Sequence, residues 1–307
     1  MFCNRKDRME QITRCPIQSK ARNKEGDKKM AKTKLTIPQI KALKQQGKKF
    51  AMVTAYDVLL ASIIDKTPIE MILVGDSMGM VVFGYNSTVP VTMEDIIHHT
   101  KPVVHGAPGT FIVGDMPFGS YNVSVEDAIR NANRIMKEGG ADSVKLEGGK
   151  NVAHIVEAMV NGGIPVMGHI GLTPQTASQL GGFKVQGKDA EAAKQLIEDA
   201  KALEKAGAFA IVLECVPSPV AKLITEQISI PTMGIGGGPH CDAQVLVTQD
   251  LLGMFDRFVP KFVKQYAKLN GQMVDALNQF YQESMDGSFP GPEYSFGMKE
   301  EDLKQLY

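Results

Sequence analysis

The sequence contains no apolar run long enough to cross a membrane. Its longest apolar stretches, such as Ala208–Leu213, are far shorter than the roughly 18 residues that a membrane-spanning helix requires. It also has no surplus of charge, because 34 Lys and Arg residues balance 34 Asp and Glu residues. We therefore expect neither a membrane span nor a basic surface for nucleic acid.

Cysteine is scarce and shows no regular spacing. The chain has four cysteines, two of them within the first 34 residues, and none forms a C-x-x-C pair. A chain of 307 residues can bury a sufficient core without disulfide bonds, so we expect a reducing, cytoplasmic location. Cys215 closes an apolar run and is interpreted as a small buried hydrophobe rather than a nucleophile.

Two common phosphate-binding motifs are also missing. No G-x-x-x-x-G-K-[ST] occurs, and Gly234–Pro239 departs from G-x-G-x-x-G because Pro239 occupies the last position. This glycine-rich segment has two interpretations that the sequence leaves open. It is either a tight turn or a place where the backbone approaches a ligand closely.

The neutral total hides a basic amino-terminal segment. Residues 1–34 hold eleven Lys or Arg and four Asp or Glu, without hydrophobic periodicity, so we predict a disordered extension. Met30 is an alternative start, and we expect residues 1–29 to contribute nothing to catalysis. Residues 35–287 are predicted to form one catalytic domain with a carboxyl-terminal helix, and residues 288–307 a tail.

From residue 36 onward, short apolar runs alternate with amphipathic helical segments. Continuous apolar runs bounded by Gly and Pro are typical of strands buried on both faces of a parallel sheet. Eight such runs with helical connections favour a single-domain α/β fold, the (β/α)₈ TIM-type barrel. The runs are Phe50–Tyr56, Met71–Val74, Phe111–Met116, Ser143–Leu146, Pro165–Ile170, Ala210–Leu213, Pro231–Ile235 and the weaker Val245–Val247.

The helical segments carry recognisable start and stop signals. Ser124 is a capping residue for a helix that ends at Gly139–Gly140, and a second helix is predicted from about Asp189 to Lys205. A helix after Phe258 is predicted to pack against the barrel or a partner subunit. Its proposed face comprises Phe262, Tyr266, Leu269, Met273 and Leu277. The proline-rich segment 288–296 is interpreted as a docked tail.

Ionisable residues stand at the carboxyl ends of five successive predicted strands, where barrel active sites lie. One such residue alone would be interpreted as a helix cap or a turn residue. Helix caps are a poor explanation for ionisable residues at the ends of five successive strands. Hard carboxylates without clustered Cys or His suit Mg²⁺ or Mn²⁺, and a lysine suits a substrate carboxylate or an oxyanion. The residues are Asp76, Asp115, Lys145, Glu147, His169 and Glu214.

Several longer motifs carry a family resemblance. They are Val74–Met80, Pro90–Asp95, Gly114–Phe118, Val144–Gly148, Met167–Gln175, Leu213–Pro217 and Phe289–Glu293. In order, and over about residues 33–296, they resemble the ketopantoate hydroxymethyltransferase family. The resemblance implies a (β/α)₈ barrel in a homo-oligomer, often a decamer, that acts on small molecules in pantothenate synthesis.

The resemblance also implies a site. Asp76 and Asp115 would bind Mg²⁺, with Glu147 completing the metal shell, and Glu214 would be the catalytic base. The set that binds the 2-oxo acid would be Asp76, Ser77, Asp115, Lys145 and His169. Two positions depart from the family, which usually has Ala in place of Gly237 and His in place of Gln249. Both lie outside the catalytic set.

The implied reaction moves one carbon. A carboxylate base would remove the C3 proton of 3-methyl-2-oxobutanoate while Mg²⁺ and Lys145 stabilise the enolate. The enolate would attack the one-carbon unit of the co-substrate 5,10-methylenetetrahydrofolate, and hydrolysis would release that carbon from the folate as a hydroxymethyl group, giving 2-dehydropantoate. Two alternatives remain: a Mg²⁺-dependent 2-oxo acid lyase of the phosphoenolpyruvate mutase/isocitrate lyase type, and an inactive barrel retained for binding. The set Asp76, Asp115, Lys145 and Glu214 argues against an inactive barrel.

Overall fold

The fold is a closed barrel of eight parallel strands that follow one another in chain order, with the last strand paired to the first. The computed structural model describes residues 32–255 and 258–307. The predicted (β/α)₈ barrel is confirmed. The predictions made for the first 29 residues, and for the rest of the segment before Lys32, lie outside the described residues.

The described residues contain eight strands and eleven α-helices. The strands are β1 (Phe50–Thr54), β2 (Met71–Val74), β3 (Phe111–Asp115), β4 (Ser143–Glu147), β5 (Val166–Gly171), β6 (Ala210–Glu214), β7 (Thr232–Ile235) and β8 (Ala243–Leu246). The helices are α1 (Ile37–Gln45), α2 (Val58–Asp65), α3 (Met78–Val81), α4 (Met93–Gly106), α5 (Val125–Arg134), α6 (Ala153–Asn161), α7 (Ala190–Lys205), α8 (Ser218–Gln227), α9 (Thr248–Leu251), α10 (Leu269–Asp286) and α11 (Glu300–Leu303).

Two apolar layers hold the barrel together. Side chains alternate along each strand, so Phe111 and Val113 on β3 fill the barrel interior, whereas Ile112 between them belongs to the layer beneath the helices. The same alternation puts Val144 and Leu146 of β4 in the outer layer. This alternation decides which polar residues of a strand face the interior.

The helices begin where their capping residues predict. The Ser124 hydroxyl accepts a hydrogen bond from the Asp127 backbone N–H at 3.1 Å, and the Asp189 carboxylate accepts one from Ala192 at 2.9 Å. Both bonds satisfy backbone donors that the first helical turn leaves free. α5 continues as a π-helical turn, Ile135–Gly139, before Gly140 ends it with φ 83°.

Two connections differ from the sequence prediction. The segment 236–242 between β7 and β8 contains no helix. The helix expected after Phe258 begins only at Leu269, so Phe262 and Tyr266 lie in the loop before it. The physical reason is that the Tyr266 and Leu269 backbone N–H groups donate to carbonyls of Leu251 and Leu252, at 2.8 and 3.1 Å, instead of forming a helix.

None of the residues of α10 is buried, although its sequence is amphipathic. The tail packs against this helix, because the ring of Phe289 lies 5.6 Å from the rings of both Phe280 and Tyr294. Within the part of the chain that the structure describes, α10 and the other helices are all too short or too polar to cross a membrane.

We expect that Gly114→Ala destabilises the barrel. A Cβ atom on Gly114 would overlap Cγ2 of Ile135 in the outer layer, and such overpacking costs about 1–3 kcal/mol of unfolding free energy. Gly271→Ala is the control, because a Cβ there meets nothing within 4 Å. Thermal and urea unfolding measure both variants, and equal stabilities would contradict this packing argument.

Candidate active site

Side chains alternate between the two faces of each strand, and this alternation places the predicted site residues inside the barrel mouth. Asp115 follows Val113 on the inner side of β3, and the register pairs Asp115 with Lys145 and Glu147 with His169 on adjacent strands. Each of these four polar residues is between 1% and 4% exposed. The structure therefore brings these four predicted residues together, and burial strengthens the electrostatic interactions between them.

Asp76 and Asp115 form a close acidic pair. The Asp76 backbone N–H donates to Asp115 Oδ2 at 3.1 Å, which ties the loop after β2 to the end of β3. Burial, together with the charge of Asp115, raises the pKa of Asp76 to about 7, against the opposing effect of Lys145. Two buried carboxylates this close are stable in their charged forms only beside a cation.

Lys145 supplies a positive charge to this pair. Its Nζ lies 2.9 Å from Asp115 Oδ1, and both side chains are almost fully buried. Burial alone would lower the pKa of Lys145, but the charges of Asp115, Glu147 and Asp76 outweigh it and hold that pKa above its ordinary value. Lys145 is therefore charged at neutral pH.

His169 links Lys145 to Glu214. Its Nδ1 lies 3.3 Å from Lys145 Nζ, and its Nε2 lies 3.2 Å from Glu214 Oε2. Burial and the charge of Lys145 hold the pKa of His169 well below its ordinary value, so the ring is neutral. Since an ammonium group can only donate, Nδ1 is the acceptor and Nε2 carries the proton that faces Glu214.

Glu214 ends β6 with a side chain that is 15% exposed. Burial raises its carboxyl pKa to about 8, against the opposing effect of Lys145. A carboxylate with such a pKa accepts protons near neutral pH. Cys215 follows it, is partly exposed rather than buried, and has a thiol pKa raised to about 11 by burial and by Glu214. The thiol stays protonated, which agrees with its interpretation as a non-nucleophile.

The sequence analysis missed Gln175, which joins two of the acids. Its Nε2 donates to Asp76 Oδ2 at 2.8 Å, and its backbone N–H donates to Glu147 Oε2 at 3.1 Å. The Tyr121 hydroxyl in turn donates to Gln175 Oε1 at 2.6 Å. Gln175 lay within a motif that carried the family resemblance, but its type and position on a loop gave no chemical signal.

Glu147 and Ser77 complete the polar group. Burial raises the pKa of Glu147 well above its ordinary value, and its Oε1 lies 3.5 Å from His169 Nδ1. Ser77 Oγ lies 2.8 Å from the hydroxyl of Tyr56, a second residue that the sequence analysis did not select. All seven residues of the predicted site line one cavity of about 460 Å³.

The donor set fits a divalent cation held by few protein atoms. Among residues 32–255 and 258–307, no three His, Cys, Asp or Glu side chains converge on one metal position. Asp76 and Asp115 are nevertheless a buried carboxylate pair with oxygen donors only. Mg²⁺ is commonly bound by one or two carboxylates, with substrate and water filling its other positions. The pair therefore fits Mg²⁺ and leaves room for a substrate.

Comparison with known proteins decides the family. The family model described as ketopantoate hydroxymethyltransferase matches residues 34–292. The chain belongs to the ketopantoate hydroxymethyltransferase family. It is 65% identical over 278 residues to the 3-methyl-2-oxobutanoate hydroxymethyltransferase of Heliobacterium modesticaldum, covering 91% of this chain and 100% of that protein. The enzyme of the same name from Clostridium botulinum is 57% identical, covering 89% of this chain and 100% of that protein.

Solved structures show the same fold at much lower identity. A phosphonopyruvate hydrolase in complex with oxalate and Mg²⁺ superposes with a TM-score of 0.56 at 11% identity, covering 89% of this chain and 95% of that one. A 2,3-dimethylmalate lyase gives 0.54 at 14%, covering 88% and 93%. The lyase alternative therefore shares the barrel with this chain, whereas membership of the ketopantoate hydroxymethyltransferase family rests on far closer relatives.

Proposed function

We propose that this enzyme transfers a hydroxymethyl group from 5,10-methylenetetrahydrofolate to C3 of 3-methyl-2-oxobutanoate, giving 2-dehydropantoate for pantothenate synthesis. The identity of 65% across the whole length of a relative with that hydroxymethyltransferase name carries the assignment. The buried polar group in the barrel mouth supports it, since a 2-oxo acid needs cationic partners for its oxygens. A cytoplasmic location agrees with the free thiols of Cys215 and Cys241.

In this proposal Asp76 and Asp115 would hold Mg²⁺, and Glu147 would complete the metal shell directly or through water. The ion, when bound, supplies Lewis-acid stabilisation of negative charge on the substrate. Gln175 fixes the orientation of Asp76 through its amide, 2.8 Å from Oδ2. A carboxylate held by such a neighbour loses less freedom when it binds a cation.

The 2-oxo acid would bind against Ser77, Lys145 and His169, together with the acidic pair. Lys145 offers a buried positive charge to the negative charge that develops on the substrate oxygen during enolisation. Its ion pair with Asp115 at 2.9 Å keeps the ammonium in place before substrate arrives. Because the ammonium is already oriented, little reorganisation accompanies the reaction.

Glu214 would act as the base that removes the C3 proton. Its carboxyl pKa of about 8 matches a group that takes up a proton near neutral pH. The neutral His169 places its Nε2 3.2 Å from Glu214 Oε2, so the ring lies beside the carboxylate without neutralising its charge. The resulting enolate would attack the one-carbon unit of the folate, which supplies chemistry that no side chain provides. Water would then break the bond between that carbon and the folate nitrogen, which leaves a hydroxymethyl group on C3 and releases tetrahydrofolate.

We further propose that the enzyme is a homo-oligomer, a decamer as the family resemblance implies. The exposed face of α10 supports this, because Met273, Leu277, Phe280 and Tyr281 are each at least 50% exposed and follow helical spacing. Apolar faces of this kind are typical of contacts between subunits. A second copy of this chain is the partner we assign to it.

Asp76→Ala and Asp115→Ala should each weaken Mg²⁺ binding about tenfold or more, because each removes one of the two proposed protein ligands. Isothermal titration calorimetry with Mg²⁺ measures the affinity, and circular dichroism verifies the fold. Asp302→Ala is the control, since Asp302 is exposed in α11. Unchanged Mg²⁺ affinity in both site variants would rule the metal assignment out.

Glu214→Gln should slow exchange of the C3 proton of 3-methyl-2-oxobutanoate in D₂O without folate by about 10²–10⁴-fold, the usual contribution of a general base. Because a base acts only when deprotonated, the wild-type rate should rise as the pH approaches about 8 from below. Proton NMR follows the exchange, with exposed Glu191→Gln as the control. If Glu214→Gln exchanged at the wild-type rate, His169 would become the next candidate.

Replacing Leu277 and Phe280 together by Glu should lower the molecular mass in solution, because charged side chains on a buried apolar face prevent association. Light scattering after size-exclusion chromatography measures the mass. Gln282→Glu adds a charge on the opposite side of α10 and should leave the mass unchanged. An unaltered mass in the double variant would show that α10 is not a contact between copies.

A further inference from the structure

The cavity has two chemically different sides. Most of the ionisable residues stand on β3 to β6 or in the loop after β2, whereas the wall formed by β7, β8 and the loop after α9 is mostly apolar, with Asp250 and Lys261 as its ionisable residues. This apolar side carries Ile235, Val245, Phe255, Phe258, Phe262 and Val263. The proposed reaction has two substrates, and the small anionic 2-oxo acid would bind the side that carries Lys145 and the acidic pair. The apolar side therefore offers space for the larger, flat co-substrate.

Asp250 is an acidic residue on the apolar side. It lies in α9 directly after β8 and lines the same cavity as Glu214. Two hydrogen bonds of Thr248, two residues before Asp250, fix its position. The Thr248 backbone N–H donates to Thr54 Oγ1 at 3.1 Å, and the Thr248 hydroxyl donates to the Thr54 carbonyl at 2.5 Å. These bonds clamp α9 to the end of β1 and hold Asp250 at the rim.

The Asp250 carboxylate has no hydrogen-bond or ion-pair partner among residues 32–255 and 258–307. It is partly buried, and burial raises its pKa. The negative charge of Asp250 contributes to the raised pKa of the Tyr56 phenol. The hydroxyl of Tyr56 in turn lies 2.8 Å from Ser77 Oγ. A partly desolvated carboxylate without a donor is costly unless a ligand supplies one.

We propose that Asp250 binds the pterin ring of the folate co-substrate by accepting hydrogen bonds from two N–H groups on the edge of that ring. The 2-amino group and the adjacent ring N–H of a pterin point in the same direction, as a carboxylate requires for a bidentate pair. Phe255, Phe258 and Phe262 line the same side and suit the faces of the ring. This inference rests on the proposed function, whose donor is a folate.

The 2-oxo acid is a poor ligand for Asp250. It has no N–H donor, and its own carboxylate would be repelled by a second one. Asp250 also lies across the barrel from Lys145, because β8 and β1 stand opposite β4 and β5 in the closed strand order. The two substrates would then meet between these sides, where Glu214 ends β6.

The test compares wild type with Asp250→Asn, which keeps the shape but replaces one acceptor by a donor. Calorimetry with tetrahydrofolate, in the presence of Mg²⁺ and 3-methyl-2-oxobutanoate, should show affinity lowered by about 10- to 100-fold, as for loss of a hydrogen bond to a charged group. C3 exchange without folate should stay within about twofold of wild type. Asp302→Asn is the matched control on an exposed aspartate.

A tetrahydrofolate analogue lacking the 2-amino group separates recognition from a structural role. Wild type should bind the analogue about tenfold or more weakly than tetrahydrofolate, and Asp250→Asn should bind the two with similar affinity. Equal tetrahydrofolate affinity in wild type and variant, or equal discrimination by both, would overturn the assignment. If wild type itself neither exchanged C3 nor formed product, the proposed function would fail instead.

Discussion

The site depends on keeping several buried charges stable in one barrel mouth. Asp76, Asp115, Glu147 and Glu214 face the same cavity, and burial raises the pKa of three of them. The ion pair between Lys145 and Asp115, 2.9 Å long, supplies a compensating positive charge. Even with Lys145 charged, the group has an excess of acid. That excess is the physical reason why a divalent cation fits there.

The same charge imbalance also separates the roles that we propose for the carboxylates. The Asp76 backbone N–H contacts the Asp115 carboxylate at 3.1 Å, and the charge of Asp115 raises the pKa of Asp76, so a cation shared between the two carboxylates would remove their repulsion. Glu214 lies on β6 beside a neutral imidazole, and burial raises its pKa to about 8 against the opposing effect of Lys145. One environment favours charged carboxylates that bind a metal, and the other favours a carboxylate that takes up a proton.

Much of this arrangement could be predicted from the sequence, because it follows from strand periodicity. Continuous apolar runs located all eight strands, and polar residues at their ends located the site. Gln175 could not be found in this way, since a loop residue meets Asp76 only once the barrel closes. The predicted start of α10 was also wrong. Phe262 and Tyr266 have helical spacing, but the Tyr266 and Leu269 backbone N–H groups donate to carbonyls of Leu251 and Leu252 instead of forming a helix.

The closed strand order explains how one small cavity could serve two dissimilar substrates. Because neighbouring strands contribute neighbouring wall segments, a change of chemistry along the chain becomes a change of chemistry around the mouth. The loop after β2 and the strands β3 and β4 contribute charged side chains, β5 contributes the neutral His169, and β7 and β8 contribute apolar side chains. Glu214 ends the strand between these two groups. In the reaction we propose, the base therefore stands at the boundary between the wall that would hold the 2-oxo acid and the wall that would hold the folate.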